Sequence, residues 1–166
     1  MEKFWKCFWY LIETGILSFF VGRMLPKNRF SAERFPYAPF DFEQDGKIYE
    51  KLGIRYWQNK VPDMSKILPK WIPAKNLSGN IKHRLPRMLQ ETCVAECIHV
   101  LLCISGLYCL KLYPGVGGFA VWLVYAALFN LPYIIIQRYN RPRLAKLARK
   151  MGVSGSEALR GDVKTV

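Results

Sequence analysis

Acidic residues are scarce in this 166-residue chain: 12 Asp and Glu stand against 25 Lys and Arg, for a formal charge of +13. Histidine is scarcer, with only His83 and His99. None of the five cysteines, at positions 7, 93, 97, 103 and 109, forms a C-x-x-C pair. No zinc site and no disulfide framework is therefore expected, and the cysteines read as small apolar packing residues. His83 alone reads as a solvated residue rather than a ligand. A Gly-rich phosphate loop, a G-x-S-x-G elbow and a second E-x-x-H are all missing. Their absence argues against P-loop nucleotide chemistry, serine-hydrolase chemistry and di-iron oxygenation, and no metal or bound cofactor is expected. No internal repeat or low-complexity stretch is visible.

What the chain has instead is apolar length. From Gly115 to Ile136 run 22 residues without a charge, and about 20 apolar residues cross a bilayer as a helix. A second run, Cys97 to Leu110, reaches spanning length when extended from Thr92 to Leu112, taking in Glu96, His99 and Lys111. A third, Phe4 to Gly22, carries Glu13 in its middle and has no small-residue cleavage site, so it reads as an uncleaved span or a deeply inserted interfacial helix. The expectation is an all-α integral membrane protein forming one membrane domain, with about three transmembrane helices near 4–24, 92–112 and 115–137. A soluble domain this basic would suggest nucleic acid, but here the charges are segregated from the apolar runs, which points to a membrane surface and no nucleic-acid partner.

The charges also orient the chain. Arg23 to Gln90 holds 14 Lys and Arg against six acids, the tail after Ile136 holds eight against two, and the connection between the second and third runs holds only Lys111. The positive-inside rule puts segment 25–91 and tail 138–166 in the cytoplasm of a multi-pass cell-membrane protein. Segment 25–91 contains seven prolines among Phe, Tyr and Trp, which rules out long helices and predicts short helices and turns on the membrane interface. Asp41-Phe-Glu-Gln-Asp-Gly-Lys-Ile-Tyr-Glu-Lys-Leu reads as a helix start capped at or near Asp41.

Ionisable side chains at a membrane edge are candidates for chemistry. Glu96 and His99 are three residues apart, on one face of a helix. The carboxylate could hold the imidazole in one tautomer, as a general base requires, or the two could form a simple interfacial contact. Glu91, or Asp63 from the long segment, could orient the imidazole instead. Gln137-Arg-Tyr-Asn-Arg-Pro-Arg puts Arg138, Arg141 and Arg143 beside Gln137 and Asn140 at the end of the third run. It reads as a phosphate clamp or as an ordinary basic stop; Arg forks suit phosphate better than Lys does. Arg55, Trp57 and Lys60 could add to the clamp. A short outer connection makes the last two spans antiparallel neighbours, so base and clamp are expected at the same membrane depth.

Gln137-Arg-Tyr-Asn-Arg-Pro-Arg-Leu, preceded by Glu91-Thr-x-x-Ala-Glu-x-Ile-His99, resembles the glycosyl-4,4'-diaponeurosporenoate acyltransferase family. The likeness includes Phe40-x-Phe42-Glu43-x-x-Gly46-Lys47 and Arg55-x-Trp57-x-x-Lys60-x-x-Asp63, and runs from about Phe40 to Leu144. That family esterifies a glucose hydroxyl of a carotenoid glycoside with a fatty acyl chain. The resemblance implies an acyltransferase that uses a cytosolic acyl thioester, acyl-CoA or acyl carrier protein, on a lipid-linked hydroxyl. The acceptor class is a carotenoid glycoside, another glycolipid or a lipid alcohol.

The resulting expectation is a membrane acyltransferase with its active site at the cytoplasmic face. His99, supported by Glu96 or Glu91, deprotonates the acceptor; Arg138, Arg141 and Arg143 bind donor phosphates; Asn140 or an Arg meets the oxyanion. Three spans leave little room for an enclosed site, which makes a homo-oligomer credible. The rival is a non-enzymatic adaptor that binds anionic lipid or a partner membrane subunit.

Overall fold

The computed structural model describes residues 1–62 and 81–153. Every regular element among them is helical. The helices are α1 (Glu2–Met24), α2 (Lys47–Lys51), α3 (Ile54–Trp57), α4 (Ile81–Gly106), α5 (Cys109–Leu112), α6 (Val116–Val124) and α7 (Leu131–Lys150), with 3₁₀ turns at Lys27–Arg29 and Asp41–Gly46. A π-helical turn, Tyr125–Asn130, joins α6 to α7 without a break in direction.

Among the described residues three helical runs are long and apolar enough to cross a membrane: Glu2–Met24, Ile81–Leu112 and Val116–Lys150, of 23, 32 and 35 residues. This agrees with the three-span expectation. At 1.5 Å per residue the last two measure about 48 and 52 Å, against a hydrocarbon core of about 30 Å. Each therefore carries a polar extension that the sequence-defined spans do not include. The extensions pack on each other through Leu85, Ala148 and Val153, flanked by Ile81, Leu89, Leu144 and Leu147. This small core stands outside the apolar windows.

The helices α4 and α7 run antiparallel: Leu85 packs near Ala148, Thr92 bonds Arg141, and His99 meets Asn130. Helix α1 lies antiparallel along α4, with the Tyr10 hydroxyl donating to the Ser105 carbonyl at 3.0 Å. At its other end Gly22 sits so close to Ile98 that a Cβ would come within 3.3 Å of that side chain. The opposite face of α1 presents Trp5, Trp9, Ile16 and Phe20 outward. An apolar, unpacked face of this kind belongs against lipid rather than water.

Residues 25–62 form short helices and turns, as their composition predicts, but 81–91 do not: they open the 26-residue helix α4 with Pro86 inside it, where no long helix is expected. The helix start expected near Asp41 differs in detail. Phe40 precedes the turn, and its N–H donates to the Glu43 carboxylate at 2.8 Å. Gln44, Asp45 and Gly46 then take positive φ before α2 begins. At Gly46 the geometry needs glycine twice over: φ is +87°, and a Cβ would stand 3.3 Å from the Tyr139 carbonyl of α7. The segment is thereby pressed backbone to backbone against α7, which brings Glu43 inward.

Candidate active site between α1, α4 and α7

A ladder of ion pairs fastens three parts of the chain together. Arg138 of α7 meets Glu43 through Nε at 2.5 Å and Nη2 at 2.9 Å, and Glu96 of α4 through Nη1 at 2.7 Å. Its remaining N–H groups go to the Pro36 and Ala38 carbonyls at 3.1 and 3.2 Å. Arg141, one turn on, reaches the other Glu96 oxygen at 2.5 Å, the Thr92 hydroxyl and carbonyl at 3.0 Å, and the Tyr37 carbonyl at 2.8 Å. Glu43, Glu96 and Arg141 are buried. Charges this dry persist only when paired, and deleting one partner of such a set costs about 3–5 kcal/mol. Burial alone would raise the Glu43 carboxyl. Hydrogen bonds from Arg138, Tyr49 and the Phe40 N–H outweigh it and hold that carboxyl below its usual range.

A phosphate clamp, one of the two readings of these arginines, needs open forks. In the fold the forks of Arg138 and Arg141 are filled, because two carboxylates and four carbonyls claim their donors. Arg143 faces elsewhere, pairing with Glu50 and donating to the Tyr139 carbonyl. Arg55 joins that outer group through Glu50 at 2.9 Å and the Tyr139 hydroxyl at 3.3 Å. Trp57 donates to the Leu52 carbonyl at 3.0 Å and Lys60 is exposed beyond it. Gln137 and Asn140 are half-buried on α7, and Asp63 lies outside the described residues.

His99 takes a partner other than the expected one. Both Glu96 oxygens are held by arginines, and the imidazole lies one turn deeper in the fold. There its Nδ1 is 3.0 Å from the Asn130 Oδ1, and its ring stacks on Tyr133 at 4.6 Å and 6°. The Asn130 Nδ2 donates to the Tyr125 carbonyl at 3.1 Å. That bond aims Oδ1, an acceptor only, at the imidazole, so Nδ1 carries the proton and Nε2 keeps its lone pair. The π-helical turn supplies the geometry, since Asn130 closes it and Tyr125 opens it; such turns recur at functional sites. Asn130 is fully buried and is the one side-chain amide in the uncharged run Gly115 to Ile136. That isolation is the signal in the sequence that marks it, though Asn130 belongs to no motif.

The same ring borders a cavity of about 760 Å³ between α1 and α4. Phe19, Val94 and Ile98 form apolar wall near His99, and Arg23, Lys27, His83, Arg84 and Arg87 are among the other lining residues. Glu91 sits among them, bonded to Lys27 at 2.8 Å and Arg87 at 3.3 Å. Glu91 therefore pairs with cations two turns before His99 on α4. Chemically, the arrangement offers an imidazole in a fixed tautomer, an apolar wall and a cationic opening along one cavity.

A sequence profile of the glycosyl-4,4'-diaponeurosporenoate acyltransferases matches residues 33–150. Proteins of that name from Staphylococcus aureus strains MRSA252 and bovine RF122 are 30% and 29% identical over 147 residues, covering 88% of this chain and 87% of theirs. The chain belongs to the glycosyl-4,4'-diaponeurosporenoate acyltransferase family. It is thus an acyl-transferring enzyme. The family match spans Glu43, Glu96, His99, Asn130 and both ladder arginines, whereas Arg23 and Lys27 of the cavity precede it. No solved structure matches this member of the family.

Proposed function

We propose that the protein transfers a fatty acyl group from an acyl thioester to a hydroxyl of a lipid or glycolipid, at the cytoplasmic face of the cell membrane. The observation that carries this reading is His99: Asn130 directs its Nδ1 proton, Tyr133 holds its plane, and the ring borders a cavity with both apolar and cationic walls. His99 Nε2 takes the proton of the acceptor hydroxyl as its oxygen attacks the thioester carbonyl. The tetrahedral adduct collapses, the C–S bond breaks, and the leaving thiolate takes the proton back from the imidazolium. The products are an ester and a free thiol. Glu96 and the ladder arginines hold α4 and α7 in register rather than touching the reactants.

A general base contributes about 10²–10⁴-fold, so His99→Ala is expected to insert normally and lose activity by roughly that factor. The assay is transfer of labelled acyl chains into lipid extracts from membranes carrying each variant; the labelled product also identifies the acceptor. Near-normal transfer by His99→Ala would remove the base from His99 and place it on a different residue.

A further inference from the structure

A second recess lies along the same face of α1 as the cavity that His99 borders. It holds about 460 Å³ and is walled by Phe4, Phe8 and Ile12 of α1, Ala120 and Val124 of α6, and Phe129 of the π-helical turn. All of its lining side chains are apolar or aromatic. At about 100° per residue, Phe8, Leu11 and Ile12 of this recess and Ser18, Phe19 and Gly22 of the His99 cavity fall within one arc of about 120° around α1. Gly15 stands at the middle of that arc, between the two. It is half-buried, yet a Cβ added to it would meet nothing within 4 Å. The neighbouring hydroxyls bond to their own helix, Thr14 to the Tyr10 carbonyl at 2.6 Å and Ser18 to the Gly15 carbonyl at 2.7 Å. Gly15 thus leaves a gap on the line that joins the two recesses.

His99 falls at the same junction. Tyr10 reaches Ser105 and Gly22 meets Ile98, so Gly15 lies beside the stretch of α4 between them, which begins with His99. On the other wall, Phe129 directly precedes Asn130, whose amide oxygen holds the imidazole. From Phe129 back to Ala120 is nine residues and from Ile12 to Phe4 eight, about 13 and 12 Å of helix. Half the hydrocarbon core of a bilayer, the depth one lipid chain fills, is about 15 Å. The length and the apolar lining suit a straight alkyl chain. The reacting carbonyl of an acyl donor is bonded directly to such a chain, so a chain site has to begin at the base. The apolar part of a glycolipid acceptor, by contrast, is set back from its hydroxyl by the sugar. Resting on the acyl-transfer reading above, we propose that this recess holds the fatty acyl chain of the donor. The carbonyl stays at His99, the chain passes Gly15, and its methyl end lies between α1 and α6. Gly15 admits the chain, and Ala120 at the far end limits its length.

The test uses the full-length protein in nanodiscs, with lipid extract of the native membranes as acceptor. Octanoyl, lauroyl and palmitoyl donors are supplied both as coenzyme A and as acyl carrier protein thioesters. Each methylene held in an apolar site is worth about fourfold in affinity, so expelling two costs about tenfold or more. Gly15→Leu, which closes the gap, should lower the palmitoyl-to-octanoyl ratio of kcat/KM at least tenfold. Ala120→Phe, which fills the far end, should lower the palmitoyl-to-lauroyl ratio in the same way. Leucine is a better helix former than glycine, so the first change does not weaken α1. Ile16→Phe, one residue on but facing outward, should leave the chain preference of the wild type. Palmitoyl thioesters with a diazirine at the methyl end read the chain's position without turnover. Their cross-links, competed by unlabelled palmitoyl thioester, should fall on Phe4, Phe8 and Val124. Equal labelling of the outward Trp5, Trp9 and Phe20 would make the recess a groove filled by bulk lipid and overturn the proposal, as would an unchanged chain preference in Gly15→Leu. The two readings fail separately. Near-normal transfer by His99→Ala with a shifted preference in Gly15→Leu removes the base and keeps the chain site, whereas transfer that needs His99 but ignores Gly15 does the reverse.

Discussion

Asn130→Leu tests the site at its least obvious point. The native amide accepts from His99 Nδ1 at 3.0 Å and is itself steered by the Tyr125 carbonyl at 3.1 Å. Leucine fills the space but offers no acceptor, so the Nδ1–H tautomer loses its partner in a buried site. A buried donor left without a partner costs about 1–3 kcal/mol. At 1.36 kcal/mol per factor of ten this shifts the tautomer balance against a basic Nε2 by about five- to 150-fold. The kcat of acyl transfer should fall by that range, with KM for the donor little altered. Asn130→Asp restores an acceptor while removing the amide donor, and should recover most of the lost rate. A purely structural role for Asn130 would show no such rescue. With only two histidines in the chain, ¹⁵N shifts of the labelled imidazoles can be assigned by comparison with His99→Ala and report the tautomer directly. Wild-type turnover in Asn130→Leu, or an unchanged tautomer beside lost activity, would refute the mechanism.

The ion ladder gives a second prediction: Glu96→Gln or Arg141→Met should destabilise the detergent-solubilised protein by about 3–5 kcal/mol, read as a drop in melting temperature, and any donor KM effect without that drop would revive the arginine clamp. The third concerns pH. The Glu43 carboxyl is held below its ordinary 4.5, so the stability it supplies is fully present above that value and disappears as pH falls through the lowered one; Glu43→Gln should flatten that part of the melting curve. The fourth tests orientation. In a chain freed of its native cysteines, a single cysteine at Gly115 should react with an impermeant probe from outside, and cysteines at Lys60 or Lys146 should not; outside labelling of Lys146 would move the site to the opposite face.

The spans were legible because uncharged runs near 20 residues have few other uses, and the short turns of residues 25–62 were legible from their prolines, whereas the helix that continues through Pro86 was not. His99 and Glu96 stood out because ionisable groups in an apolar helix need a reason. Their partners were not legible. A three-residue spacing says two side chains share a face, but whether they touch depends on what the neighbouring helix presents. Here α7 presents Arg138 and Arg141 to Glu96, and Asn130 and Tyr133 to His99. The inward turn of Glu43 depends on the left-handed run Gln44 to Gly46, which local composition suggests as a turn but cannot aim. The cavity escaped for a simpler reason: its cations come from the end of α1, the turn after it and the polar extension of α4, parts that meet only once α1 folds back along α4.

The ladder also bears on how the chain is made. Arg138 lies 95 residues after Glu43 and 42 after Glu96, so during synthesis both acids leave the ribosome well before the cations that neutralise them. Segment and α4 must wait, carboxylates in water at the interface, until the last helix arrives. Insertion of that helix is then the step that locks the whole protein, and a chain truncated before Arg138 carries two unpaired acids. Only with the last helix in place do both acids have their cations.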